Sequence, residues 1–299
     1  MLNRLSRVGL ETGGLTDEEI KFLDTKIISV MKPALVGRQL FETVNIGNVG
    51  TRTWRGYTMT DMSQAEITME GIDQSLDHVE LANSDKKVPI ISKSTMLFWR
   101  DLVSSRNGGI PLDTINIENA ARQIAEEEDK LLITGQYTGW MALAIEGLAT
   151  ATGRQTQATA GVWATIANIY TDISAAIAKL EANGHYGPYA MILRSGLNAK
   201  LRQLATNTDR LVRESILEML SSGGVGKIFV SDSLYSSAGA TTSVLVVEPS
   251  PDNFVMGIAQ DVTTNRWQDQ NMNTVLKIYE AITPRVKRAT SICELTGVT

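Results

Sequence analysis

The stretch Ile117 to Gly135, IENAARQIAEEEDKLLITG, limits what this chain can fold into more than any other. Ile117, Ala121, Ile124, Leu131 and Leu132 recur at the spacing of one helix face, which predicts a long amphipathic helix. Its second half carries consecutive acids from Glu126 to Asp129. Carboxylates there oppose the helix macrodipole, at a cost of roughly 0.3 to 1 kcal/mol each. Glu128 falls on the apolar stripe itself. A helix that keeps such charges calls for basic partners, in this chain or in a neighbouring copy. A solvated face accounts equally well for Glu126, Glu127 and Asp129, but not for Glu128.

Composition excludes several classes. The 299 residues are 43% hydrophobic and 20% charged, enough for one large or two ordinary cores. Cys293 is the one cysteine, so there is neither an internal disulfide nor a thiolate metal cluster. His78 and His185 lack the spacing of zinc ligands, and His185 reads as a loop residue after a helix. Gly223 to Lys227, GGVGK, leads from a helix into a strand and has Ile228 after the lysine, unlike a phosphate loop. No serine elbow or di-iron Glu-x-x-His pattern occurs. The expectation is a non-enzyme with no cofactor and no metal. Net charge is −5 with scattered Lys and Arg, which argues against binding nucleic acid by charge neutralisation. The apolar run Gly139 to Ala149 is broken by Glu146 and is too short to span a bilayer, so no membrane is expected.

Along the chain, Thr16 to Glu19 form a capping box before a helix with Ile20, Leu23, Ile27 and Met31 on one face, stopping near Pro33. Ile46 to about Ser84 is Thr-, Met- and Gly-rich with short alternations, read as a two-stranded excursion that buries little of itself. Val88 to Leu102 is a strand passing into a turn, and Arg106 to Gly109 supply a loop. Thr134 to Gly161 reads as loop with one short helix. Gly161 to Ala182 is a second strong helix, with Trp163, Ile173 and Leu180 inward. Then come a strand (Tyr189–Leu193), helices at 196–205 and 209–221 with Asp209 as N-cap, and strands near Lys227–Ser231, Ser243–Glu248 and Phe254–Ala259. Asn273 to Leu295 alternates as one long strand broken by Pro284. Trp54, Trp99, Trp140, Trp163 and Trp267 are read as core or interface anchors.

The order of LTDEEIKFLD…LVGRQLFETV, the extended loop, IAEEEDKLLITG, GHYGPYAMILRSGLNAKL and GKIFVSDSL resembles tailed-phage major capsid proteins of the Hong Kong 97 type and family 1 encapsulin shells. The resemblance covers nearly the whole chain and implies an α+β fold. Residues 1–45 would be an N-terminal arm and helix, and 46–87 an extended loop. Residues 88–186 would form a peripheral domain with a spine helix at 116–134, 187–266 an axial domain, and 267–299 the return strand of the peripheral domain.

It also implies a homo-oligomer of pentamers, with hexamers in larger shells, each subunit burying a few thousand Å². Intersubunit contacts are expected at Arg52 and Arg55 on the loop and at Glu126, Glu127, Glu128 and Asp129, with Arg52 and Arg55 as first partners for Glu128. The main reading is a virion capsid, assembled in the host cytoplasm around phage DNA without sequence-specific binding, with portal, decoration and separate scaffold proteins. The alternative is a cytoplasmic encapsulin nanocompartment whose cargo protein docks on Ile20, Leu23 and Ile27, although a core face explains those three equally. Apparent extra length in the loop and around Thr134 to Gly161, and the lack of the aromatic and basic pattern of flavin-binding encapsulins, favour the virion. No lysine lies between Lys32 and Lys86, so the loop carries no nucleophile for covalent crosslinking.

Overall fold

A computed structural model describes residues 15–34, 36–59, 67, 69, 78, 81–108, 114–136, 143–205, 209–234 and 242–298. Trp140, the first fourteen positions and most of the far part of the extended loop lie outside these residues. The capping box closes as expected. Thr16 N–H donates to Glu19 Oε2 at 2.8 Å, and Glu19 N–H donates to Thr16 Oγ1 at 3.3 Å. Helix α1 (Asp17–Ala34) follows and ends one residue past Pro33, the expected stop. The short helix α2 (Gly37–Leu40) then leads into strand β1 (Glu42–Asn45).

The excursion forms two antiparallel pairs, β2 (Thr53–Trp54) with β5 (Lys86–Lys87) and β3 (Tyr57–Met59) with β4 (Leu81–Asn83). Beyond them Ile67 and Met69 are fully exposed. Strand β6 (Ile90–Leu97) runs into helix α3 (Trp99–Gly108), so Arg106 to Gly108 are helical rather than the expected loop. The spine is α4 (Ile115–Ile133). The pair β7 (Gly135–Gln136) and β8 (Ile145–Glu146), a single 3-10 turn and β9 (Gln155–Ala158) occupy most of what reads as loop. Next come α5 (Ile166–Ala182), β10 (Ala190–Leu193), α6 (Ser195–Leu201) and α7 (Val212–Leu220). Leu211 rather than Asp209 stands at the N-cap of α7. Strands β11 (Lys227–Val230), β12 (Thr242–Val247), β13 (Phe254–Gln268), β14 (Thr274–Val286) and β15 (Ile292–Thr296) complete the chain.

Two sheets organise these elements. The first has the order β1-β13-β14-β6, with β1 parallel to β13 and the rest antiparallel; the second has the order β11-β10-β12-β15-β9. The spine lies on the first sheet, burying Ile117, Ala121 and Ile124 with Leu276 and Ile278, and α1 closes this layer with Leu23, Ile27 and Met31. Helices α5 and α7 cover the second sheet through Ile169, Ile173, Leu180, Ile216 and Leu220. The end of the spine, Leu131 to Ile133, wedges between Ile192 and Leu245 of the second sheet and Phe254, Met256 and Ile282 of the first.

The expected boundaries at 186/187 and 266/267 do not follow the sheets. β9 and α5 pack with the second sheet, and β13 belongs to the first from Phe254 onward. The final alternating stretch is two strands, β14 in the first sheet and β15 in the second. Pro284 does not break β14. Pairing with β6 ends at Ala281, leaving an open edge there that accepts a proline. Alternation reports that a segment is a strand. It does not report which sheet receives it.

Candidate functional site

The acids of the spine are satisfied by the segment that α1 delivers onto them. Gly37 lies so close to Leu132 that a β-carbon there would collide with it and stand 3.1 Å from Asp129 Oδ1. Without a side chain, the backbone of Val36 and Gly37 reaches the spine and donates to Asp129 at 3.1 and 2.8 Å. The carboxylate that opposes the end of its own helix thereby receives the first free amides of α2. Burial raises Asp129 to about 6, against the opposing pull of those two amides.

Arg38 follows directly. Its Nε donates to Glu128 Oε1 at 2.8 Å, Nη2 to Glu128 Oε2 at 3.3 Å and to Glu280 Oε2 at 3.2 Å, and Nη1 to Asp261 Oδ1 at 2.9 Å. Glu128 and Glu280 are wholly buried. Burial works against the guanidinium charge, but Glu128 and then Asp261 outweigh it and hold Arg38 above its ordinary value. Burial, reinforced by the charge of Glu128, pushes Glu280 up to about 9. One cation thus gathers α2, the spine, β13 and β14.

This geometry corrects the expected contacts. Glu128 and Asp129 face the interior of their own chain and cannot form a surface contact with another copy. The arginine that Glu128 holds is Arg38, not Arg52 or Arg55. Glu126 and Glu127 are exposed and pair along the helix with Arg122 at 2.8 Å and Lys130 at 3.4 Å, close to the solvated-face reading. Arg52 and Arg55 are exposed at the loop base. Leu23 and Ile27 belong to the core under α1, because the capped helix turns that face onto the spine; Ile20 is half-buried beside them. The open apolar side chains of α1 are Phe22 and Ile28, about half exposed at 48% and 52%. Arg38, Asp261 and Glu280 escaped the sequence reading. Glu280 was legible: Leu276, Ile278, Glu280 and Ile282 share one phase of β14, so an acid sits in an inward position.

A second constellation fixes the loop base. Arg285, 5% exposed, stacks 5.1 Å from the Trp54 ring and donates to Tyr57 O at 3.2 Å. Gly56 leaves room for that guanidinium, which a side chain at this position would strike. Burial lowers Arg285 below its usual value, against the charge of Asp85. Lys86 pairs with Glu146 at 2.9 Å, and Thr283 Oγ1 donates to Lys87 O at 2.9 Å. The loop therefore leaves the body from a fixed root. Trp163 is core and Trp54 a root anchor, while Trp99 and Trp267 are partly exposed. His185 is a loop residue after α5, as read, and it is held there: its ring lies 2.7 Å from Glu248 and 3.1 Å from Thr290 Oγ1. Among the described residues no group of three or more His, Cys, Asp or Glu is placed to hold a metal, and no helix is long and apolar enough to cross a membrane.

The chain is similar to known proteins along nearly its whole length. The family described as encapsulating protein for peroxidase, Linocin_M18, matches residues 10–283. The type 1 encapsulin shell protein EncA of Myxococcus xanthus is 29% identical over 283 residues, which are 95% of this chain and 94% of that protein. A virus-like particle subunit from Pyrococcus furiosus superposes with a TM-score of 0.70 at 15% identity, over 93% of this chain and 99% of the other. The capsid protein of Myoviridae phage XM1 superposes at 0.66 with 13% identity, over 87% and 90% of the two chains. The α+β fold is that of tailed-phage capsid proteins, as the resemblance implied.

Proposed function

This chain belongs to the Linocin_M18 family, and from that premise we propose that it is the shell subunit of a cytoplasmic nanocompartment enclosing a cargo protein. It is a shell-forming, capsid-like protein. The observation that carries the finer reading is the likeness to an encapsulin shell protein along almost the full length of both chains. It also removes the length argument for a virion, since the aligned stretch is nearly the same fraction of each chain. Likeness to a phage capsid at 13% identity concerns the fold alone, so phage DNA, portal and tail now form the second reading.

The monomer supports assembly. Ile67 and Met69 of the loop are fully exposed and find no cover among the described residues, and a neighbouring copy would supply it. Arg52 and Arg55 are exposed at the loop root, where they can meet exposed acids, such as Glu126 and Glu127, of another subunit. Closed shells arise when one such contact repeats with a fixed rotation, on the order of sixty copies or more making modest contacts collectively firm. The subunit acts by enclosing, not by catalysis.

Cargo docking is assigned to the outward side of α1 rather than to Leu23 and Ile27. Phe22 and Ile28 are open there, and the neighbouring Arg266 of β13 pairs with Asp24 at 2.6 Å. An apolar peptide segment would cover Phe22 and Ile28. Particles purified from the native cell test the proposal. Co-purifying protein that is lost on Phe22→Asp with Ile28→Asp, in particles of unchanged size, supports it. Particles filled with DNA and carrying a portal would replace it with the virion.

A further inference from the structure

Two carboxylates buried on one guanidinium raise a question of charge. Glu128 from the spine and Glu280 from β14 are both inaccessible to solvent, and Arg38 Nη2 reaches Glu128 Oε2 at 3.3 Å and Glu280 Oε2 at 3.2 Å. Asp261, on β13, takes the other end of the same cation, and Asp129 stands next to Glu128 on the spine. Strand β6 places the apolar Ile91 opposite Glu280, while its one charged residue, Lys93, is exposed opposite Ile278. With every acid ionised, one positive charge would face several negative ones, two of them without water. The orphan atom is Glu280 Oε1, which is buried and receives no hydrogen-bond donor among the described residues. As an anion it would be an uncompensated buried oxygen. As a hydroxyl it becomes a donor, with the Glu128 carboxylate beside it as acceptor.

We propose that Glu280 carries a proton that it donates in a hydrogen bond to the Glu128 carboxylate under Arg38, and that losing it in alkaline solution unlatches the α1–α2 segment from the spine and loosens the shell. The proton belongs to the folded chain alone; its consequence for assembly rests on the shell reading. The raised value of about 9, caused first by burial and then by Glu128, agrees in direction. A folded value above the ordinary one means that the stabilisation is complete in acid. It declines above the ordinary glutamate range and is gone once the pH has risen through about 9.

Glu280→Gln keeps the shape and a donor but cannot ionise. Infrared spectra of the wild-type protein at neutral pH should show a protonated buried carboxyl band that fades in alkali and is missing in Glu280→Gln. Absence of that band from the wild type overturns the proton on Glu280, whether or not particles form. Light scattering against pH should place the dissociation midpoint of Glu280→Gln shells about one pH unit or more above that of wild type. Coincident midpoints overturn the latch.

Discussion

Replacing Arg38 by methionine is the sharpest probe of the spine. The change keeps much of the side chain's apolar length and removes the cation that joins α2 to the spine and the first sheet. The pair with Asp261 counts for little, because that carboxylate is 65% exposed and such pairs contribute about 0 to 1 kcal/mol. Glu128 decides the magnitude. It is wholly buried, with Arg38 on both of its oxygens, and removing one partner of such a pair costs about 3 to 5 kcal/mol. Urea unfolding followed by tryptophan fluorescence, at one fixed protein concentration, should show the loss as a midpoint lowered by roughly 1 to 2 M. The diagnostic arm is the double change Arg38→Met with Glu128→Gln. Removing the stranded charge should recover at least half of the lost stability. If Arg38→Met unfolds within about 0.5 kcal/mol of wild type, or the double variant is no more stable than the single one, the reasoning from buried charge is wrong.

Three further outcomes follow from other places in the chain. Gly135, just past the spine, has φ +75° and would drive a β-carbon into the carbonyl of Ile145 and to 2.6 Å from Gly147 N; Gly135→Ala should lower stability by about 3 kcal/mol or more in thermal melts, and a melt unchanged within error would contradict the close backbone packing. Asp172 accepts from Trp163 Nε1 at 2.7 Å, Ala160 N–H at 2.6 Å and Thr159 Oγ1 at 2.6 Å, so Asp172→Ala should cost about 2 to 4 kcal/mol by chemical denaturation, with a near-neutral result counting against it. Because no lysine lies between Lys32 and Lys86, purified particles should run on denaturing gels as a single band, and a ladder of covalent oligomers would refute a non-covalent shell.

Much of the fold is legible in local pattern. The capping box, the spine and α5 each follow from helical spacing that tertiary contacts then reinforce. What pattern leaves open is partnership over distance. Glu128 is conspicuous as an acid on an apolar stripe, yet its partner lies 90 positions away, in a four-residue helix whose sequence carries no charge signal beyond Arg38 itself. Leu23 and Ile27 look the same whether a helix face meets its own core or a guest peptide, so their role depended on where the spine lies. Likewise β14 and β15 alternate in one run, and only the turn after Val286 sends them to different sheets.

The central claim is that copies of this chain close into a hollow particle without covalent links. Mass measured by sedimentation and light scattering on the purified native protein tests it most directly. The expected result is a discrete closed assembly on the order of sixty subunits or more that dissociates in denaturant to single chains. A monomer that persists at every concentration and salt condition would contradict it.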